Sequence, residues 1–175
     1  MAFSGKNSTH YEADAGRSKL VLTPAQAWEK AKVYCSYQER CHQEVKDKLY
    51  GYGLHRQDVE ILLSRLIEEN YLNEERFAVQ YAGGHFRLKK WGRVKIKVGL
   101  KQKGISEYCI KKALREIDED DYLALLEKLA AAKWESLRSN QYIMRQAKCR
   151  DYLLQKGFEV NLVMVAIKKL RGMDL

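Results

Sequence analysis

Apolar and polar positions along this 175-residue chain follow one pattern written three times. Leu49 precedes Gly53-Leu54, Leu100 precedes Gly104-Ile105, and Leu153 precedes Gly157-Phe158, so the glycines lie 51 and 53 residues apart. Eight residues before each glycine stands Val45, Ile96 or Cys149, and four before it always a leucine. Those offsets share one helix face. After the glycine, offsets 1, 6, 9, 10 and 13 give Leu54, Val59, Leu62, Leu63 and Leu66 in the first copy. The second copy gives Ile105, Ile110, Ala113, Leu114 and Ile117, and the third Phe158, Val163, Ala166, Ile167 and Leu170. All fifteen are apolar, where composition alone would make about half so. This is a repeat.

Each copy reads as helix, glycine turn, helix. A glycine closing the first helix can take the left-handed conformation that penalises any residue with a Cβ by roughly 1 kcal/mol. Gly53, Gly104 and Gly157 are therefore assigned to structural turns. A third helix precedes each pair, over residues 24–37, 74–89 and about 120–137. Thr23-Pro24-Ala25-Gln26 starts the first, with Thr as N-cap, Pro at the first helical position and Gln placed for a capping box. Asn73 with Glu74-Glu75, and the acidic run from Asp118 to Asp121, start the other two at the positive end of a helix dipole.

The predicted fold is all-α: three tandem three-helix repeats, resembling helix-turn-helix units, over residues 23–72, 73–117 and 118–175. Residues 1–22 form a tail expected to have no fixed structure. A unit of about 50 residues buries little surface by itself, so the units should stack into an elongated or curved body.

Composition adds what the pattern leaves open. With 46% hydrophobic and 31% charged residues the chain can bury a core. No apolar run approaches the ~20 residues that span a bilayer, and the first twenty residues lack a signal peptide's apolar stretch, so no membrane role and a cytoplasmic location are expected. Cys35, Cys41, Cys109 and Cys149 fall in helical segments without a zinc-type spacing, which suits reduced thiols packed as small side chains.

The net charge is +9, from 32 Lys and Arg against 23 Asp and Glu. Divided at the repeat boundaries it is 0, +8 and +1, so the middle unit carries nearly all of it. Its densest stretch is Arg87, Lys89, Lys90, Arg93, Lys95, Lys97, Lys101 and Lys103, with no acidic residue among them. Arg93, Lys97 and Lys101 recur every four residues along one helix side, where like charges repel by a few tenths of a kcal/mol per pair. Attraction to phosphate or to an acidic protein surface is the functional reading; a solvated helix face is the plain one.

Phe77 and Tyr81, four residues apart, suit a core. Trp91, in the turn between two helices, either packs across it or presents its ring to a partner. Gly83-Gly84 interrupts a helical segment and predicts a kink or a close helix contact. No phosphate-binding loop, strand with Gly-rich turn or HExxH motif is present, and His10, His42, His55 and His85 are dispersed. The run of carboxylates from Asp118 to Asp121 points several ways around a helix start, which suits dipole complementation. No catalysis, metal or cofactor is expected.

At the junction of the first two units the residues become distinctive. Tyr71-Leu72-Asn73-Glu74-Glu75-Arg76-Phe77-Ala78, then Tyr81, Arg87, Gly92, Ile96, Leu100 and Lys103-Gly104-Ile105, resemble the central motif of the RecX family of recombinase regulators. Glu39-Arg40-Cys41 and the segment from Glu44 to Leu49 agree in the first unit, so the resemblance covers about residues 25 to 171. It implies a cytoplasmic bacterial protein that lies in the groove of the RecA filament on DNA, restraining filament growth, ATP hydrolysis, strand exchange and co-protease activity. Arg76, Arg87 and Lys103 match family positions, as do Gly92 and Gly104, which are read as structural turn residues. Asn73 stands where the family commonly has Asp, a conservative change at a helix cap. The expected partners are thus the RecA filament and DNA, single- or double-stranded, met by a monomer through its basic middle unit. A helix-turn-helix-type DNA-binding module acting without RecA is the alternative.

Overall fold

The computed structural model describes residues 21–173, with side chains through residue 170. Residues 1–20 of the expected tail lie outside the described residues. Val21 and Leu22 run beside the first glycine turn, where the Leu22 N–H donates to the Tyr52 carbonyl at 2.9 Å.

Among the described residues there are nine helices and no strand. The first unit holds α1 (Pro24–Tyr37), α2 (His42–Gly51) and α3 (Arg56–Glu68). The second holds α4 (Glu74–Lys89), α5 (Arg93–Gln102) and α6 (Glu107–Arg115), and the third α7 (Glu119–Glu135), α8 (Tyr142–Lys156) and α9 (Val160–Met173).

Local chemistry starts these helices where the sequence indicates. Thr23 Oγ1 accepts from the Gln26 N–H at 3.3 Å while Gln26 Oε1 accepts from the Thr23 N–H at 3.1 Å, a reciprocal capping box. Asn73 caps α4 and Asp118 caps α7, both at 2.9 Å. The acidic run at residues 118–121 thus provides one cap and a negatively charged first turn. The turn glycines adopt φ values of +83°, +73° and +92° at Gly53, Gly104 and Gly157. The Ile105 and Phe158 amides reach back to the Leu100 and Leu153 carbonyls at 3.2 Å, closing α5 and α8.

The repeated apolar positions build the core. Val45, Leu49, Ile96, Leu100, Cys149 and Leu153 are all 0% exposed. Twelve of the fifteen positions after the glycines are buried, and Leu63, Leu114 and Leu170 are half-buried against the same clusters. Two clusters form. One fills the first unit from Ala27 to Leu72; the other is continuous through the second and third units and takes in Cys41 from the first. All four cysteines are free and buried, and burial pushes the Cys35 thiol up to about 11, away from reactivity.

Consecutive units dock through equivalent positions with different chemistry. Twelve residues before the turn glycine stand Cys41 in the first unit and Gly92 in the second, each the residue that opens its helix. Cys41 faces the second unit amid ion pairs: Arg76 Nε donates to Glu39 Oε1 at 2.8 Å, and Lys103 Nζ to Glu44 Oε1 at 2.6 Å. Gly92 instead meets the third unit backbone to backbone. Its N–H donates to the Lys156 carbonyl at 2.9 Å, and the Val94 N–H to the Gly157 carbonyl at 3.0 Å. A Cβ on Gly92 would lie 2.2 Å from the Gly157 oxygen, and one on Gly157 would lie 2.2 Å from the Lys95 Cβ. The φ of Gly92 is an ordinary −78°, so close approach, and not a left-handed turn, is what requires glycine there.

Tyr122 of α7 completes this second junction. It is fully buried, and its hydroxyl accepts from the Arg93 N–H at 3.0 Å and donates to Glu159 Oε2 at 2.6 Å. Gly92 has no side chain with which to cap α5, so the neighbouring unit supplies the cap. Burial, then the Glu159 bond, raises the Tyr122 pKa far above its ordinary value. Phe86 and Phe158 pack on the ring at 5.8 and 5.2 Å between centroids.

Candidate functional site

The nine basic residues singled out in the sequence divide into two sets. Five are engaged by carboxylates. Arg76, besides Glu39, donates to the Asn70 side chain at 2.6 Å and its carbonyl at 3.0 Å, which ties the end of the first unit to α4. Lys103 holds Glu44, and this hydrogen bond is the main reason its pKa is raised. Arg93 bonds Glu119 at 2.6 Å and the Ile117 carbonyl at 3.3 Å, with its guanidinium 4.1 Å from the Tyr122 ring centroid. Lys97 and Lys101 share Glu107 at 2.7 and 3.4 Å. Lys97 above all holds the Glu107 carboxyl below its usual range.

The row Arg93, Lys97 and Lys101 is thereby explained without an outside partner. Glu119 and Glu107, from α7 and α6, offset the repulsion along α5. Exposed pairs of this kind contribute about 0–1 kcal/mol each, comparable to the repulsion they relieve.

The other four, Arg87, Lys89, Lys90 and Lys95, have no carboxylate within ion-pair distance among the described residues. Lys89, Lys90 and Lys95 lie at the end of α4 and the start of α5, whereas Arg87 lines a separate cavity with Glu116, Asp118 and Asp121. The Arg87 guanidinium lies across Gly83, whose absent Cβ would sit 2.9 Å from both terminal nitrogens. Lys95 Nζ donates to the Gln155 carbonyl at 3.1 Å, near the end of α8. Lys90 is exposed and left-handed, with φ +56°. The three repeat turns place glycine in that conformation, whereas this one places a lysine against a penalty of roughly 1–2 kcal/mol.

An aromatic stack runs beside these cations. His85 lies between Tyr81 and Trp91, at centroid distances of 3.8 and 4.6 Å. Lys89 and Lys95 sit over the Trp91 ring at 5.2 and 4.9 Å. Trp91 therefore packs across the turn. His85 Nδ1 is 2.9 Å from the Tyr81 carbonyl and Nε2 is 3.3 Å from Lys89 Nζ. A carbonyl only accepts and an ammonium only donates, which assigns a neutral ring protonated at Nδ1. Burial holds its pKa below the usual imidazole value. Phe77 is buried and Tyr81 half-buried against the core, although Tyr81 also belongs to the stack. The spacing of Tyr81, His85 and Lys89 at four-residue steps was the available signal for this arrangement.

Gly83-Gly84 does not interrupt the helix, and neither glycine's Cβ position approaches another helix. Residues 74–89 form one helix through both. Gly83 makes room for the side chain of its own helix neighbour Arg87, and Gly84 faces open space.

Comparison with known proteins places this geometry. Residues 73–114 match the second three-helix domain of RecX, and residues 119–167 match the third. The chain belongs to the RecX family. Within the family it is similar to the regulatory protein RecX of Clostridium tetani, 32% identical over 137 residues that cover 77% of this chain and 62% of that protein. The Bacillus cytotoxicus RecX is 25% identical over 138 residues, covering 79% and 51%; the chain spans about half the length of this relative. The crystal structure of RecX from Lactobacillus salivarius superposes with a TM-score of 0.77 at 26% identity, covering 85% of this chain and 96% of that one. A second RecX crystal structure gives 0.76 at 27% identity, covering 83% and 71%. The family is one of regulatory proteins, and the all-helical repeat architecture is shared with its solved members. No described helix is long and apolar enough to cross a membrane.

Proposed function

We propose that the chain is a non-enzymatic regulator that binds the RecA filament on DNA and restrains its ATPase, recombinase and co-protease activities. It meets the filament's phosphates or acidic loops through the α4–α5 turn. The observation that carries the anionic contact is the group Lys89, Lys90 and Lys95. These cations lack carboxylate partners in a protein that pairs Arg93, Lys97, Lys101 and Lys103 of the same basic stretch, and Lys90 holds a backbone conformation suited to glycine. An unfavourable conformation retained on a charged surface residue is a mark of function. The regulatory role is supported by the family, and the recombinase as target by the resemblance of the Tyr71–Ala78 segment and its following positions to the RecX motif.

Comparing binding to naked DNA with binding to a RecA filament at physiological salt tests the reading. Clearly tighter binding to the filament is expected, with inhibition of its ATPase. Equal affinity for the two would indicate a DNA-binding module acting without RecA.

A further inference from the structure

Between the first and second units lies an open cleft of about 280 Å³ whose use the contacts above do not explain. Along α4, Phe77, Tyr81, Gly84 and Leu88 follow one another at offsets of 4, 7 and 11, so they line one helix face. That face forms one wall, with the edge of His85 beside it, and Gln38 and Glu39 come from the opposite unit, the Glu39 carboxylate being held by Arg76. Leu88 stands at the rim and is 84% exposed, so its side chain is available to a ligand entering the cleft. A Cβ on Gly84 would meet nothing within 4 Å. Its bare α-carbon leaves a flat opening against the helix in a position where alanine would stabilise α4 by up to about 1 kcal/mol in general helix terms.

We propose that this cleft receives one unpaired base of a single-stranded nucleic acid. The inference rests on the reading that the α4–α5 turn meets nucleic acid, and it deepens that reading by choosing the strand state. Lys89 belongs to both features: it lines the cleft and flanks the Trp91 ring together with Lys95. A strand whose phosphates follow Lys89, Lys90 and Lys95 therefore passes the cleft mouth. There a planar base can lie against Gly84, with Leu88 on one side and the edges of Tyr81 and His85 on the other. The Gln38 and Gln80 side chains, both lining residues, offer amide donors and acceptors to its edge. In a duplex the bases are stacked and paired and cannot enter without extrusion. A positively charged track beside apolar and aromatic surface is the arrangement that binds single strands with little sequence preference. An apolar side chain from a protein would also fill the volume, but nothing in it would call for cations without carboxylate partners at the mouth.

The test uses single-stranded oligothymidylate and an abasic oligomer of the same length and charge, titrated against the full chain by fluorescence anisotropy. The unmodified protein should prefer the base-bearing strand by at least about fivefold, the lower range for one stacked base. Gly84→Leu, which fills the cleft from a helical position with open space around it, should abolish that preference while keeping the abasic affinity and without lowering the melting temperature. Leu88→Ser, at an exposed rim position, should reduce the preference independently of helix packing. Equal binding of the two strands by the unmodified protein, or a preference that survives both substitutions, overturns the base-binding cleft. The turn's contact with phosphate would still stand in that case if Lys89→Glu with Lys90→Glu lowers affinity for both strands. Binding of neither strand would remove the nucleic-acid reading itself and the cleft with it. Loss of filament binding in Gly84→Leu with strand preference intact would assign the cleft to a protein side chain, and the base would have no place in it.

Discussion

The two junctions between units begin from the same register and reach opposite solutions. At the first, Cys41 is surrounded by Glu39–Arg76 and Glu44–Lys103 pairs whose side chains are between 22% and 39% exposed. Each unit largely keeps its own core. At the second, Gly92 and Gly157 bring two backbones into hydrogen-bond contact, Tyr122 caps the neighbouring helix, and one apolar cluster runs through both units. A repeat that preserves its apolar skeleton can thus vary its couplings independently. The ionic junction is sensitive to salt and relieves little strain when broken. The close-packed one has no slack, because interiors at native density transmit any added volume.

Substitution at Gly92 should separate the two most sharply. Gly92→Ala places a methyl 2.2 Å from a backbone oxygen that no side-chain rotation can move. Overpacking of this kind costs about 3 kcal/mol or more where backbones must part, and thermal unfolding should show it as a large fall in melting temperature of the second and third units together. Tyr122→Phe should follow. It strips the half-buried Arg93 N–H and Glu159 of their shared partner, at about 1 kcal/mol, and urea titration checks it. Against Gly92→Ala, Glu39→Gln with Glu44→Gln should cost only about 1 kcal/mol in all. The effect should shrink at high salt and appear in hydrogen exchange of the first unit alone. A loss as large as that of Gly92→Ala would contradict the contrast between the junctions.

The smallest effect is one of pH. His85 in the folded protein has a pKa depressed below its unfolded value near 6.5, through burial first. The unfolded chain therefore takes up the proton more readily, so stability from the neutral ring is present above that value and declines as pH falls through the folded pKa. His85→Gln should flatten this acid-side slope in melting temperature between about pH 7 and pH 5, and an unchanged slope would assign it to other groups.

The apolar skeleton was legible in the chain because it depends on local period and on one backbone conformation, which residues such as Leu49, Gly53 and Val59 declare directly. The starts of α1 and α4 were legible for the same reason. The charge pattern was legible only in part. Arg93, Lys97 and Lys101 read as a single stripe, but their partners Glu107 and Glu119 lie on other helices and are brought beside them only by the fold. Gly92 read as a turn residue, and its need for glycine comes from Gly157, sixty-five positions away. Tyr122 carried no sign of its bond to α5, since its hydroxyl has meaning only once the third unit is docked. Gly83 and Gly84 were conspicuous, but the side chain that crosses one and the space that faces the other are properties of the assembled middle unit.

Two double neutralisations within the same basic stretch test most directly whether the α4–α5 turn, and not the α5 row, carries the anionic contact. Filament affinity should be measured across a salt series for Lys89→Gln with Lys90→Gln and for Lys97→Gln with Lys101→Gln. The first pair should weaken binding and lower the slope of log affinity against log salt by up to about 2, nearly one for each phosphate contact removed. The second should leave affinity and slope close to those of the unmodified protein. The reverse outcome, with the slope lost on α5 and kept at the turn, would contradict the assignment.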